Sequence, residues 1–166
     1  CSPGLANALI KSGVKNLSYE PGPYIHTEPA CLDFAIIDNS KFLFFNDDEF
    51  QAAGEIWGSN SPRDFIGASG RILIITKGAE GSDIYQNTNA GFLSEHIDAI
   101  GLNSKIIDST GAGDCYKTGF LVGYIKGRKL KECALIGSYM GAICLTQEGG
   151  ILSLDKIAKV KRAFNI

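Results

Sequence analysis

Two rhythms of apolar residues run along the chain. Over 42–45 and 71–76 the apolar residues follow one another with little polar alternation, the pattern of strands buried on both faces of a sheet. Over 47–56, 114–126, 130–145 and 154–164 they return every three or four positions, the period of a helix with one buried face. Leu5, Leu9 and Ile10 repeat that spacing behind the helix-start signal Ser2-Pro3, and Gly13 ends the run. A further helix is expected around 31–37, and short strands at 16–19 and 105–107. The first of these strands is stopped by Glu20-Pro21-Gly22-Pro23, where two prolines argue against regular structure. Gly58 and a polar loop through Pro62 close the 47–56 helix. Residues 83–86 and 91–94 flank Asn87-Thr88-Asn89-Ala90, a hairpin pattern. Strands alternating with helices, the buried ones of parallel type, predict an α/β layered fold.

Composition narrows the picture without changing it. The 166 residues argue for one domain, able to bury roughly 70% of the surface its unfolded form would expose. With 45% hydrophobic and 20% charged residues, and a net charge of −2 without acidic or basic blocks, nothing points to a nucleic-acid or anionic-membrane partner. Unbroken apolar runs reach about four residues, against the ~18 of a membrane span. Cys1, Cys31, Cys115, Cys133 and Cys144 show no metal or redox spacing, as expected of reduced thiols in a cytoplasmic protein. His26 and His96 stand alone, as surface or loop histidines do. The start at Cys1, without Met or a signal-like segment, suggests a chain cut within a larger one.

The chemistry concentrates in Asp108-Ser109-Thr110-Gly111-Ala112-Gly113-Asp114, followed by Cys115-Tyr116-Lys117-Thr118-Gly119-Phe120. A turn of small residues lets backbone approach a ligand closely. The helix it opens presents N–H groups and the positive end of its dipole, which suits a phosphate. Asp114 at that end can cap free N–H groups and stay ionised. Two other phosphate motifs fail here: Tyr116 occupies the place of the second glycine of a Walker loop and of the third glycine of a dinucleotide fingerprint.

The full string resembles the signature of the ribokinase-like (PfkB) carbohydrate kinase family: an acid, Ser/Thr, Thr, Gly-Ala-Gly-Asp, an aromatic two residues on, then Gly and a hydrophobic residue. Asn46-Asp47-Asp48-Glu49, after the 42–45 strand, resembles the family's Asn-x-x-Glu motif, although the same residues could form a helix capping box. Thr76-Lys77-Gly78-Ala79-Glu80-Gly81 resembles the loop bordering the nucleotide, and Thr146-Gln147-Glu148-Gly149-Gly150 the closing segment beside the adenine, with Ser138 near it.

The resemblance implies a layered α/β/α ribokinase-like (Rossmann-like) domain, lacking the family's N-terminal part and its lid. It implies phosphoryl transfer from ATP to a hydroxyl of a small sugar or nucleoside, in the cytoplasm. Asp114 would be the base, with Gly111, Ala112, Gly113 and the N–H groups of the turn stabilising charge. Asn46, Thr76, Gly78, Gly81, Gly113 and Ser138 would bind nucleotide. Asn46 and Glu49 would organise Mg²⁺ partly through water, and Asp108, Thr110 and Ser153 match the positions of a monovalent cation site, K⁺ in particular. Family dimers pair through the lid, which would make a full-length form a homo-oligomer. The rival readings are a non-catalytic nucleotide-binding or scaffold module of the same fold, and an NAD-type dinucleotide enzyme.

Overall fold

The computed structural model describes residues 8–14, 16–67, 70–101 and 104–166. The expected helix start at Ser2-Pro3 and Leu5 lies outside them; residues 8–11 are helical, and Gly13 follows with φ of 71°. The described chain gathers into two compact units. One holds the residues up to Lys77 together with Asp83–Glu95, the other Gly78–Ser82 with the residues from His96 to Ile166.

A five-stranded mixed sheet runs β1 (Leu17–Tyr19), β2 (Ser40–Asn46), β3 (Ile72–Thr76), β4 (Ser82–Thr88) and β5 (Gly91–Ile97), in chain order. β1, β2 and β3 are parallel, and Phe42 to Asn46 lie opposite Ile72 to Thr76 residue for residue. Alternation follows from the pleat. Leu43, Phe45, Leu73 and Ile75 pack with Ile37, Ala53, Phe65 and Ile66, while Phe42, Phe44, Ile72 and Ile74 of the other face are buried too. Burying each such side chain stabilises by roughly 1.5–3 kcal/mol, which is why these two strands carry no polar alternation. The expected hairpin is present with longer arms, turning at Asn89-Ala90.

Around this sheet the first unit departs from the sequence expectations in three places. The helix expected at 31–37 is a 3₁₀ turn at Pro29–Cys31 followed by α1 (Phe34–Asn39). The side chain of Asp33 sets the start, accepting from the N–H groups of Ala35 and Ile36 at 2.8 and 3.4 Å. The proline-rich stop contains a 3₁₀ turn at Pro23–His26, since a proline at the first position has the fixed φ such a turn needs. The polar loop after Gly58 runs to Ser61 as expected, but Pro62 opens a short helix that the sequence reading did not anticipate, α3 (Pro62–Ile66), anchored by fully buried Phe65 and Ile66. Between these, α2 (Asp47–Trp57) ends at left-handed Gly58 as expected. The buried guanidinium of Arg71 donates to the carbonyls of Ser40 and Phe65 and to Asp38, tying α3 to the sheet.

The second unit is built on α4 (Ala112–Ile125), α5 (Leu130–Cys144) and α6 (Leu154–Phe164). Small residues let α4 and α5 close. A Cβ on Gly119 would stand 2.9 Å from the Cα of Gly137, one on Gly137 2.7 Å from the Tyr116 carbonyl, and one on Gly123 3.1 Å from the Cα of Cys133. Behind them Cys115, Ile136, Ile143, Cys144, Leu152 and Val160 form a core. The strand expected at 105–107 is absent. Ile106 and Ile107 are exposed, and the N–H groups of Ile107 and Asp108 donate to the Leu145 carbonyl just past α5 at 2.7 and 3.4 Å, so this stretch is fixed by a helix end rather than a strand ladder.

Candidate active site

The glycine turn is held in shape by Asp108. Its Oδ1 accepts from the N–H and the hydroxyl of Thr110 at 2.9 and 2.7 Å, and its Oδ2 from the N–H of Gly149 at 2.9 Å. The two N–H bonds and the Thr110 hydroxyl hold this carboxyl below the ordinary carboxylate range. One side chain thus fastens the turn to the closing segment. Gly111, at φ 75°, is the N-cap of α4, and no side chain caps that helix. The Cys115 thiol donates to the Gly150 carbonyl at 3.6 Å and the Cys144 thiol to the Thr110 carbonyl at 3.5 Å, adding two weak ties beneath the same turn. Burial, with the neighbouring Cys144 thiol, pushes Cys115 up to about 12, so it stays a protonated packing group.

Two expectations about the turn are corrected by its geometry. Asp114 does not cap: it stands at the third helical position, and its Oδ1 instead meets the Lys117 ammonium at 2.7 Å. The N–H of Ala112 already donates to the Ser109 carbonyl at 3.3 Å. The first-turn donors beyond it belong to Gly113 and Asp114, positions for which a helix offers no carbonyl four residues back.

Tyr116, one turn into the buried side of α4, shares a 2.7 Å hydrogen bond with the Ser82 hydroxyl, and burial pushes its phenol up to about 12. This joins the helix that carries Asp114 to the end of the Gly78–Ser82 segment. Gly81 in that segment is wedged against backbone, where a Cβ would stand 2.1 Å from the Ile97 carbonyl oxygen. Ser138 accepts from the N–H of Ile100 at 2.8 Å and so positions the segment leaving β5. Ser153 is the N-cap of α6 without a side-chain cap bond.

In the first unit, Asn46 and Glu49 form a reciprocal capping box at the start of α2. The Asn46 side-chain oxygen accepts from the Glu49 N–H at 2.8 Å, and Glu49 Oε2 from the Asn46 N–H at 2.9 Å; Glu49 is 6% exposed. The capping arrangement is therefore present, and any metal role falls to the oxygen lone pairs it leaves over. Thr76 donates to the Phe45 carbonyl at 3.4 Å, and Gly78 begins a 3₁₀ turn. Among the described residues no cluster of three or more His, Cys, Asp or Glu side chains could hold a metal, and no helix is long and apolar enough to cross a membrane.

Sequence reasoning missed Lys117 and the Tyr116–Ser82 bond. Lys117 had a legible signal in its i, i+3 spacing to Asp114. The Tyr116 bond had none, since its partner lies thirty-four residues away.

A parallel sheet core followed by a pinned glycine turn that opens a long helix defines an α/β protein of the ribokinase-like class. The chain belongs to the pfkB family of carbohydrate kinases, whose family model matches residues 12–157. A nucleoside kinase of Methanocaldococcus jannaschii is 35% identical over 144 residues, covering 87% of this chain and 45% of that protein. The crystal structure of M. jannaschii nucleoside kinase, an archaeal member of the ribokinase family, superposes with a TM-score of 0.75 at 30% identity, covering 95% of this chain and 52% of that one. Ligand-free Burkholderia thailandensis nucleoside kinase superposes with a TM-score of 0.79 at 26% identity, covering 96% and 50%. The chain spans about half the length of the curated relatives it matches.

Proposed function

We propose that this chain supplies the ATP site and the catalytic base of a kinase that phosphorylates a hydroxyl of a small sugar or nucleoside in the cytoplasm. The observation that carries the reading is the Asp114 carboxylate, exposed in the first turn of α4 directly behind a turn pinned by Asp108. Asp114 would accept the acceptor hydroxyl's proton as its oxygen attacks the γ-phosphorus. The N–H groups of Gly113 and Asp114 would take charge on the phosphoryl oxygens, with Gly111 and Ala112 shaping the turn. The base need not be strong, because phosphoryl transfer has a loose transition state in which positioning and electrostatics dominate. Thr76, Gly78, Gly81 and Ser138 are proposed to border the nucleotide.

Magnesium is proposed at the Asn46–Glu49 pair through water: Asn46 Oδ1 keeps a second lone pair beyond the one that accepts the Glu49 N–H, and the Glu49 carboxylate has an oxygen besides the Oε2 that accepts the Asn46 N–H. When bound, it offsets the charge of the ATP phosphates. Asp108, Thr110 and Ser153 are proposed for K⁺, as Asp108 keeps lone pairs beyond its three hydrogen bonds. The proposed acceptor class follows the relatives, among them a cytidine kinase and a nucleoside kinase solved with inosine.

Titration of the chain with Mg-ATP, followed by amide shifts, is expected to move Gly111 to Asp114 first. Shifts confined to another surface would overturn the nucleotide reading.

A further inference from the structure

Lys117 and Asp114 form an ion pair across the first turn of α4. Lys117 Nζ lies 2.7 Å from Asp114 Oδ1, with the lysine side chain 17% exposed and the aspartate 76%. Side chains lean toward the start of a helix, so Lys117 folds its stem back along α4 and delivers its ammonium to the first turn. An aspartate near a helix start is already favoured by the dipole and needs no counter-ion, whereas a lysine brought there faces the dipole's positive end. A pair with one partner this exposed contributes little to stability. Its cost and geometry make better sense in terms of what the turn would bind. A nucleotide polyphosphate resting on the Gly113 and Asp114 N–H groups would meet the Asp114 carboxylate at close range, and like charges at that separation repel.

We propose that Lys117 is a positioning residue of this site: its ammonium holds Oδ1 of Asp114 and offsets the repulsion between that carboxylate and the bound polyphosphate, leaving Oδ2 for the acceptor's proton. The inference rests on the nucleotide reading given above. It differs from a direct phosphate contact, because Lys117 acts through Asp114 and loses its importance when that charge is gone.

Mg-ATP affinity, measured by calorimetry on the 166-residue chain, tests it through a double-mutant cycle. Lys117→Met and Lys117→Gln are expected to weaken binding about tenfold, the scale of one uncompensated charge in a half-exposed site. Lys117→Arg should rescue it to within about threefold, because the charge is kept. Added to Asp114→Asn, Lys117→Met should change affinity by less than about twofold. Unchanged affinity in both neutral variants would overturn the proposal, as a merely structural pair would move only the melting temperature. An equal loss with and without the Asp114 charge would also overturn it, and would mark a direct phosphate contact. If the unmodified chain fails to bind Mg-ATP, the nucleotide reading itself falls and this proposal with it, a failure seen before any variant is made.

Discussion

Gly111 and Gly150 meet backbone to backbone. A Cβ built on Gly111 would stand 2.4 Å from the Cα of Gly150, and one built on Gly150 3.1 Å from the Cα of Gly111. Asp108 reaches across the same junction to Gly149, so the turn and the closing segment form one braced piece. The brace explains how a loop of small residues can present N–H groups in a fixed direction.

Gly111→Ala is expected to break that brace. The residue sits at φ 75°, where a side chain costs roughly 1–2 kcal/mol before any clash, and the atom it would meet is the Gly150 backbone, which cannot swing aside. Gly150→Ala meets a longer contact and should be the milder change. Melting temperatures and Mg-ATP titrations on both variants check the order; a Gly111→Ala protein with unaltered stability and binding would contradict it.

The Asp108 clasp should be lost in acid. Hydrogen bonds depress this carboxyl in the folded chain relative to its unfolded value near 3.9. A depressed acid stabilises the fold at pH above the unfolded value, and that contribution disappears as pH falls through the lower folded value. The amide signals of Thr110 and Gly149 are expected to hold steady from neutral pH down to the ordinary carboxylate range and to move together below it. Asp108→Asn should remove the Gly149 bond at every pH, since an amide offers one accepting oxygen where the carboxylate offers two.

Tyr116→Phe keeps the ring but strands the Ser82 hydroxyl, which is 1% exposed. Leaving such a group unpaired costs about 1–3 kcal/mol. Urea denaturation should show that loss, and Ser82→Ala added to Tyr116→Phe should recover part of it. Strictly additive losses would mean the bond is not the link between α4 and Ser82.

Asp114→Asn, in a form of the enzyme competent for turnover, is expected to lower kcat by about 10²–10⁴-fold, the usual worth of a general base. ATP affinity should hold or tighten slightly, because a charge facing the phosphates is removed. Stability should barely change, since Asp114 caps nothing in this fold and its carboxylate is largely exposed. A variant with unaltered kcat would remove Asp114 as the base.

Much of this protein was settled locally by its residues. The runs at 42–45 and 71–76 demanded two-sided burial and formed paired parallel strands. The start of α2 and its left-handed end at Gly58 followed from short-range hydrogen bonding and glycine's freedom at positive φ, and the string around Gly111 to Asp114 pointed to the family through order and spacing alone. Tertiary structure decided the rest, where the deciding partner lies far along the chain. Residues 105–107 have strand-forming side chains, yet their backbone is fixed by the end of α5. Pro62–Ile66 coils into a helix because Phe65 and Ile66 are drawn into a core assembled elsewhere. Asp114, by contrast, was decided locally: left-handed Gly111 already holds the cap position, and Lys117, three residues on, takes the carboxylate. Local propensity is weak beside burial and hydrogen-bond satisfaction, so where distant groups supply either, they determine the outcome.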